Sequence, residues 1–124
     1  MKNPMLIEED TVFICGPRGK ENKIQAYQAF EEAEKQLTDR GIKCINPYSL
    51  FEGEEHHLLD EEKHMNVICS HLAMCDMIVT IPGWQNALNS QIEINVARHL
   101  NKAIVLLDKL LKIHDANHGN AIAG

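Results

Sequence analysis

A chain of 124 residues, 44% apolar and 24% charged, has the size and composition of one globular domain with a core able to fold unaided. Its net charge of −6 excludes a general nucleic-acid binder, which needs a basic face against a run of phosphates, but leaves room for a small anion held by a few local cations. The longest apolar runs, such as Ala103-Ile104-Val105-Leu106-Leu107, are far too short to span a bilayer, and residues 1–10 lack the apolar stretch of a signal peptide, so no membrane association is expected.

Cys15, Cys44, Cys69 and Cys75 form no CxxC pair, and three of them sit inside apolar stretches. That is the pattern of reduced thiols packed as small hydrophobes, and a cytoplasmic location is the expectation.

In chain order, Thr11-Val12-Phe13-Ile14-Cys15 is a run of strand formers cut off by the turn signal Gly16-Pro17-Arg18-Gly19. Residues 22–40 turn helical: Ala26, Phe30, Ala33 and Leu37 recur at spacings of four, three and four, and Gly41 suits the helix end. Lys43-Cys44-Ile45-Asn46 reads as a second strand, stopped by Pro47. The acidic stretch 48–64, centred on Glu54-Glu55-His56-His57, reads as a loop with short helical pieces, and a helix follows over 61–74. Met77-Ile78-Val79-Thr80-Ile81 is a third strand ended by Pro82-Gly83-Trp84. A short amphipathic helix over 90–100, with Ile92, Val96 and Leu100 as its apolar stripe, leads to a fourth strand over 103–107. The tail from His114, which carries Asn, Gly and Ala, is expected to fray at its end.

Strands alternating with helices predict an α/β domain over residues 1–124, with its core in 11–107 and a tail over 108–124. The nearly continuous apolar strands agree with a parallel sheet covered on both faces. In such sheets ligands bind outside the carboxyl ends of the strands, where strand order reverses. That rule singles out residues 16–20, residues 82–93, and Asp108 with the residues just after it.

Gly16-Pro17-Arg18-Gly19-Lys20 leaves a strand and enters a helix, a junction whose backbone N–H groups and two cations suit a phosphate or carboxylate. It matches neither a P-loop nor a dinucleotide fingerprint, and a tight turn with two solvated cations would read the same way. Trp84, the only tryptophan, either stands at the cleft rim with its face free to stack on a base, or caps the core or is buried in an oligomer interface. Glu93 falls at the edge of the buried stripe of its helix, where a partly desolvated carboxylate could act as nucleophile or base. The spacing Ser90-x-x-Glu93 is equally that of a capping box, with Glu93 turned back to the Ser90 amide. The seven histidines show no ligand spacing, so neither a metal nor a cofactor is expected.

Taken together, Val12-Phe13-Ile14-Cys15-Gly16-Pro17, Phe30, Ala33, Leu37, Gly41, Asn46-Pro47, Leu72, Cys75-Asp76, Pro82-Gly83-Trp84, Glu93 and Ala97 resemble the nucleoside 2-deoxyribosyltransferase-like superfamily, in particular its small phage and bacterial members of unassigned function. The resemblance spans about residues 11–107. It implies a flavodoxin-like, Rossmann-like doubly wound parallel sheet of four or five strands in three αβα layers, and a homodimer or larger homo-oligomer. It also implies cleavage of a base–sugar bond in a nucleoside or nucleotide, by transfer or hydrolysis, with Glu93 as the attacking glutamate. Phe13, Gly16, Pro17, Arg18, Gly19, Lys20, Gly83, Trp84, Asn89 and Ser90 would then bind substrate. Three positions depart from the superfamily's pattern. Its first-strand tyrosine is Phe13, its acid eight residues before Asp76 is Ile68, and its small glycine before the nucleophile helix is Asn89; His64 and Asn66 are candidate replacements. The alternatives are a nucleotide-binding module without catalysis, acting as a sensor or sequestering protein, and a structural oligomer without a small ligand.

Overall fold

The computed structural model describes residues 10–18, 23–51 and 61–123, with the side chains of Glu61 and of residues 119–123 left aside. Four strands form one parallel sheet: β1 (Thr11–Cys15), β2 (Lys43–Ile45), β3 (Met77–Thr80) and β4 (Ala103–Leu106), in the order β2-β1-β3-β4. Four helices connect or follow them: α1 (Lys23–Thr38), α2 (Glu61–Ala73), α3 (Leu88–His99) and α4 (Leu107–Ala123). Short 3-10 turns occupy Pro47–Phe51 and Trp84–Asn86. This is the expected flavodoxin-like, three-layer arrangement with four strands.

The sheet is pinned at its lower edge by Asp76. Its carboxylate accepts from the Thr11 amide at 2.8 Å while its own amide donates to the Thr11 carbonyl at 2.8 Å, fixing the β1–β3 register. β1 and β3 lie at the centre, and alternation of their side chains divides the core in two. Val12, Ile14, Val79 and Ile81 face α1 and α4, where Phe30, Ala33, Leu37 and Leu110 cover them. Phe13, Cys15 and Ile78 face α2 and α3, against Ile68, Leu72, Ile94 and Ala97. Each large side chain so buried contributes roughly 1.5–3 kcal/mol. The helix α1 ends where Gly41 takes a φ of 74°, letting the Ile42 amide turn back to the Leu37 carbonyl at 3.0 Å.

Three sequence expectations are corrected. First, the buried face of α3 is Ser90, Glu93, Ile94 and Ala97, whereas Ile92 and Leu100 are exposed and Val96 is half-buried. The apolar stripe lies one position out of phase with the buried face because two polar residues, Ser90 and Glu93, hold inward positions. Second, α3 begins at Leu88 with Ala87 before it, so Ser90 lies inside the first turn and forms no capping box with Glu93. Third, the segment from His114 continues α4, since nothing in Leu107–Ala123 breaks a helix strongly and its inner residue Leu110 packs on the sheet. The His56-His57 pair lies outside the described residues.

Candidate functional site

The strand order reverses between β1 and β3, so the switch point is flanked by the segments that leave those two strands. They touch each other. A Cβ on Gly16 would sit 2.3 Å from Ile81 Cγ1, so only glycine lets the chain leave β1 this close to β3. Gly83, at a φ of 93°, turns the second segment back until its Cα faces the Pro17 ring.

Asn89, in the first turn of α3, then fastens the loop. Its Oδ1 accepts from the Arg18 amide at 3.1 Å and its Nδ2 donates to the Gly16 carbonyl at 2.9 Å. The side chain at the position where the resemblance implies a small glycine is therefore a staple between two loops, with both ends of its amide engaged.

With the Arg18 backbone held, its guanidinium reaches Glu93. Arg18 Nη1 donates to Glu93 Oε1 at 3.2 Å and Nη2 pairs with Oε2, a bidentate fork. The Glu93 side chain is fully buried and that of Arg18 is 10% exposed. The guanidinium carbon also lies 6.0 Å from the centre of the Phe30 ring.

The surroundings of Glu93 are polar on the sheet side. Cys15 closes β1 beside it, with Sγ 3.8 Å from the Ser90 carbonyl. Burial first, and then the Glu93 carboxylate, push the Cys15 thiol far up, so it stays protonated and is no nucleophile. Thr80 pairs with Cys15 across the sheet, and Ser90 stands one turn before Glu93 on the same helix face. Both are buried, and among the described residues neither Thr80 Oγ1 nor Ser90 Oγ has a hydrogen-bond partner. Two orphan hydroxyls, one a turn before the buried carboxylate and the other paired across the sheet with Cys15, are costly in a core and call for partners.

On the other side of Arg18 lies an aromatic group. Tyr48 meets Phe30 edge-on with ring centres 5.2 Å apart, and Tyr27 at 5.4 Å. Burial raises the Tyr48 hydroxyl's pKa, and the charge of Arg18 opposes the rise. An Asx turn positions it, the Tyr48 amide donating to Asn46 Oδ1 at 3.0 Å.

Of the residues singled out in the sequence, the structure therefore brings together Gly16, Pro17, Arg18, Gly83, Asn89, Ser90 and Glu93. Gly19 and Lys20 lie outside the described residues. Phe13 is fully buried in the apolar cluster that also holds Ile68, so two of the three departures pack in one cluster. Trp84 packs against the same cluster with Nε1 buried and without a partner, as a core cap. Asp108 is exposed in the first turn of α4, and Asn66 is exposed on α2. His64 stacks its ring on Phe51, with centres 4.4 Å apart. The sequence reading missed Cys15, Thr80 and Tyr48. All three stand at or just beyond strand ends, so the strand-end rule, applied to every strand residue rather than to the turns alone, would have found them. Among the described residues no group of three or more His, Cys, Asp or Glu side chains could hold a metal ion. No helix among them is long and apolar enough to cross a membrane.

The model of the family described as Domain of unknown function (DUF4406) matches residues 10–106. A sequence search among curated proteins returns no match. Among solved structures, the CMP N-glycosidase BcmB of Clostridium botulinum is similar at a TM-score of 0.54 and 20% identity, covering 78% of this chain and 67% of that one. The 2-deoxyribosyltransferase of Bacillus psychrosaccharolyticus gives a TM-score of 0.59 at 18% identity, covering 77% and 70%. BlsM, solved in solution, gives 0.56 at 21%, covering 85% and 69%. The expected likeness to the nucleoside 2-deoxyribosyltransferase-like superfamily is thus present in the fold.

Proposed function

The chain belongs to the DUF4406 family, and for it we propose cleavage of the base–sugar bond of a nucleoside or its 5′-monophosphate, with Glu93 as the attacking carboxylate. One observation carries this reading: a fully buried glutamate stands in the helix after β3, at the switch point, held by a guanidinium. A buried ion pair adds little stability over an apolar pair of the same shape, so its placement at the strand ends favours a chemical role. Structural relatives named as a CMP N-glycosidase and a 2-deoxyribosyltransferase support nucleoside chemistry on this fold. Arg18 favours a substrate that carries a phosphate, and a homodimer or larger homo-oligomer belongs to the same proposal.

In the proposed reaction a Glu93 oxygen attacks the anomeric carbon through an oxocarbenium-like transition state. The carbon–nitrogen bond breaks, its electron pair leaves with the base, and the base takes a proton from solvent. Water then attacks the glycosyl ester, giving its hydroxyl to the sugar and its other proton to solvent, and Glu93 is regenerated. A second base in place of water would make the reaction a transfer, and either route retains configuration. Ser90, one turn before Glu93 on the same helix face, supplies a hydroxyl beside the sugar.

A nucleotide-binding module without turnover is the second reading. Phe13 and Ile68 favour it, because they fill with apolar atoms the places where the superfamily's pattern has a phenol and an acid. The test is incubation with a panel of 2-deoxynucleosides and of deoxy- and ribonucleoside 5′-monophosphates, with free base followed by chromatography. Release by the parent that vanishes in Glu93→Ala is the expected result. Thermal stabilisation by a panel member without release from any of them would establish the binding module instead, the shift at 100 times Kd being about 2.7 kcal/mol.

A further inference from the structure

We infer that Arg18 is a latch on Glu93 that a 5′-phosphate opens, so that the substrate's own phosphate uncovers the carboxylate that attacks it. The inference rests on the glycosidic reading for its chemistry, but the latch itself is a property of the ion pair. Both Glu93 oxygens are engaged by the two terminal nitrogens of Arg18, and the carboxylate has no exposure of its own. An anomeric carbon therefore cannot approach until the guanidinium moves.

The geometry makes that movement a local one. The Arg18 backbone is held by Asn89 through its amide, and the preceding Gly16 carbonyl is held by the same side chain. Opening the latch requires rotation of one side chain about a fixed stem, not displacement of the loop. The Arg18 side chain also retains slight exposure while Glu93 has none, so of the two partners it is the one open to an incoming anion.

A phosphate dianion offers the guanidinium the same forked geometry as a carboxylate, with more charge and more acceptor oxygens. A neutral nucleoside has no group that competes for it. Once the guanidinium has left, Ser90 Oγ, one turn before Glu93 on the same helix face, buried and without a hydrogen-bond partner among the described residues, remains as a donor and acceptor. It is the independent sign that a polar ligand completes this site. The buried ion pair thus selects nucleotides over nucleosides by a competition for one arginine, and Arg18 is a specificity-determining residue.

The test compares wild type, Glu93→Gln and Arg18→Gln, using the common deoxy- and ribonucleoside 5′-monophosphates and the matching nucleosides. In calorimetric titration, Glu93→Gln binds the monophosphates about tenfold or more tighter than wild type, within the usual range of coupling between two competing contacts, and gains less for nucleosides. Equal monophosphate affinity in the two proteins overturns the latch. In base release, Arg18→Gln loses rate on monophosphates and gains rate on nucleosides. Loss on both means that Arg18 only supports the fold, and loss on monophosphates with no gain on nucleosides means that it is a plain phosphate ligand; either overturns the latch. Should Arg18→Gln fail to fold, the Glu93→Gln titration carries the test alone. Tighter monophosphate binding by Glu93→Gln, with no base release by wild type, keeps the latch and removes the glycosidic reading. Base release without any gain in affinity does the reverse, and no binding to either protein overturns both.

Discussion

Among the described residues stand two arginine–carboxylate forks, each spanning 75 residues of sequence: Arg18 with Glu93, and Arg40 with Asp115. Both are bidentate. Arg40 donates side-on, Nε and Nη2 to the two Asp115 oxygens at 2.8 and 2.9 Å, whereas Arg18 uses its two terminal nitrogens end-on against Glu93. Their surroundings differ completely. The Arg40 pair joins the turn after α1 to the outer side of α4, with Asp115 52% exposed, whereas the Arg18 pair is buried at the switch point. Exposed charges keep most of their hydration, cost little and return little. Buried charges lose it, and neither can be removed alone without leaving the other stranded. The same fork is a clip in one place and a commitment in the other.

The comparison breaks most visibly on deletion of one partner. Arg18→Ala should lower the unfolding free energy by about 3–5 kcal/mol, because Glu93 is left buried and unpaired. Replacing both members, as Arg18→Met with Glu93→Leu, should restore most of the loss, since the apolar pair strands no charge. Urea unfolding of the two proteins measures this directly. Arg40→Ala under the same conditions should be hard to distinguish from any surface substitution. A single Arg18 deletion as mild as that at Arg40 would mean that Glu93 is reached by water, and the burial argument would fall.

Asn89→Ala sharpens the comparison at the next level. Among the described residues no side chain staples the Arg40 backbone, whose amide donates to the Leu37 carbonyl at 3.1 Å. Loss of the bonds to the Arg18 amide and the Gly16 carbonyl should cost about 1–3 kcal/mol, slightly offset by the helix preference of alanine. The specific readout is hydrogen exchange. Protection of the Arg18 amide should fall well before that of its neighbours in β1, and unchanged protection would show that the loop is held some other way.

Legibility in the sequence divides along the same line between regular packing and special contacts. The strands and the first three helices were legible because Val12, Ile14, Ile78 and Val79 are apolar on both faces of a buried sheet, and Phe30, Ala33 and Leu37 follow helical spacing, whereas α4 falls where a tail is expected. The phase of α3 was not legible, since its inward face carries Ser90 and Glu93 while Ile92 and Leu100 look outward. A pattern of hydrophobicity cannot find a face that is polar for chemical reasons. The Arg18–Glu93 fork is likewise a contact across 75 residues that no local spacing encodes. Gly16 and Glu93 could be named from the sequence, but not that Arg18 joins them.

The smallest effects read the two regions separately through pH. At the alkaline end, burial raises the thiols of Cys44 and Cys75 to about 11 from an ordinary 9.0, and Cys15 beside Glu93 higher still. A raised folded pKa means that the unfolded chain releases the proton first. The stability these thiols contribute is therefore complete below about pH 9.0 and declines as pH rises through their folded values. Cys15→Ala should flatten the part of that decline that persists to the highest pH. At the acid end the sign reverses. The hydrogen bonds from Arg40, then His114, hold Asp115 near 2 against an ordinary 3.8, so its contribution is present above about 3.8 and is lost as pH falls toward 2. Because Asp115 is exposed, that loss should be small and should shrink further in high salt, where the screening length falls to a few ångströms. Asp115→Asn should remove the salt-sensitive part of the acid limb and leave the alkaline limb unchanged. Denaturant midpoints measured across pH at low and high salt decide it, and a salt-insensitive acid limb would show that the Arg40 clip is not the exposed pair its geometry describes.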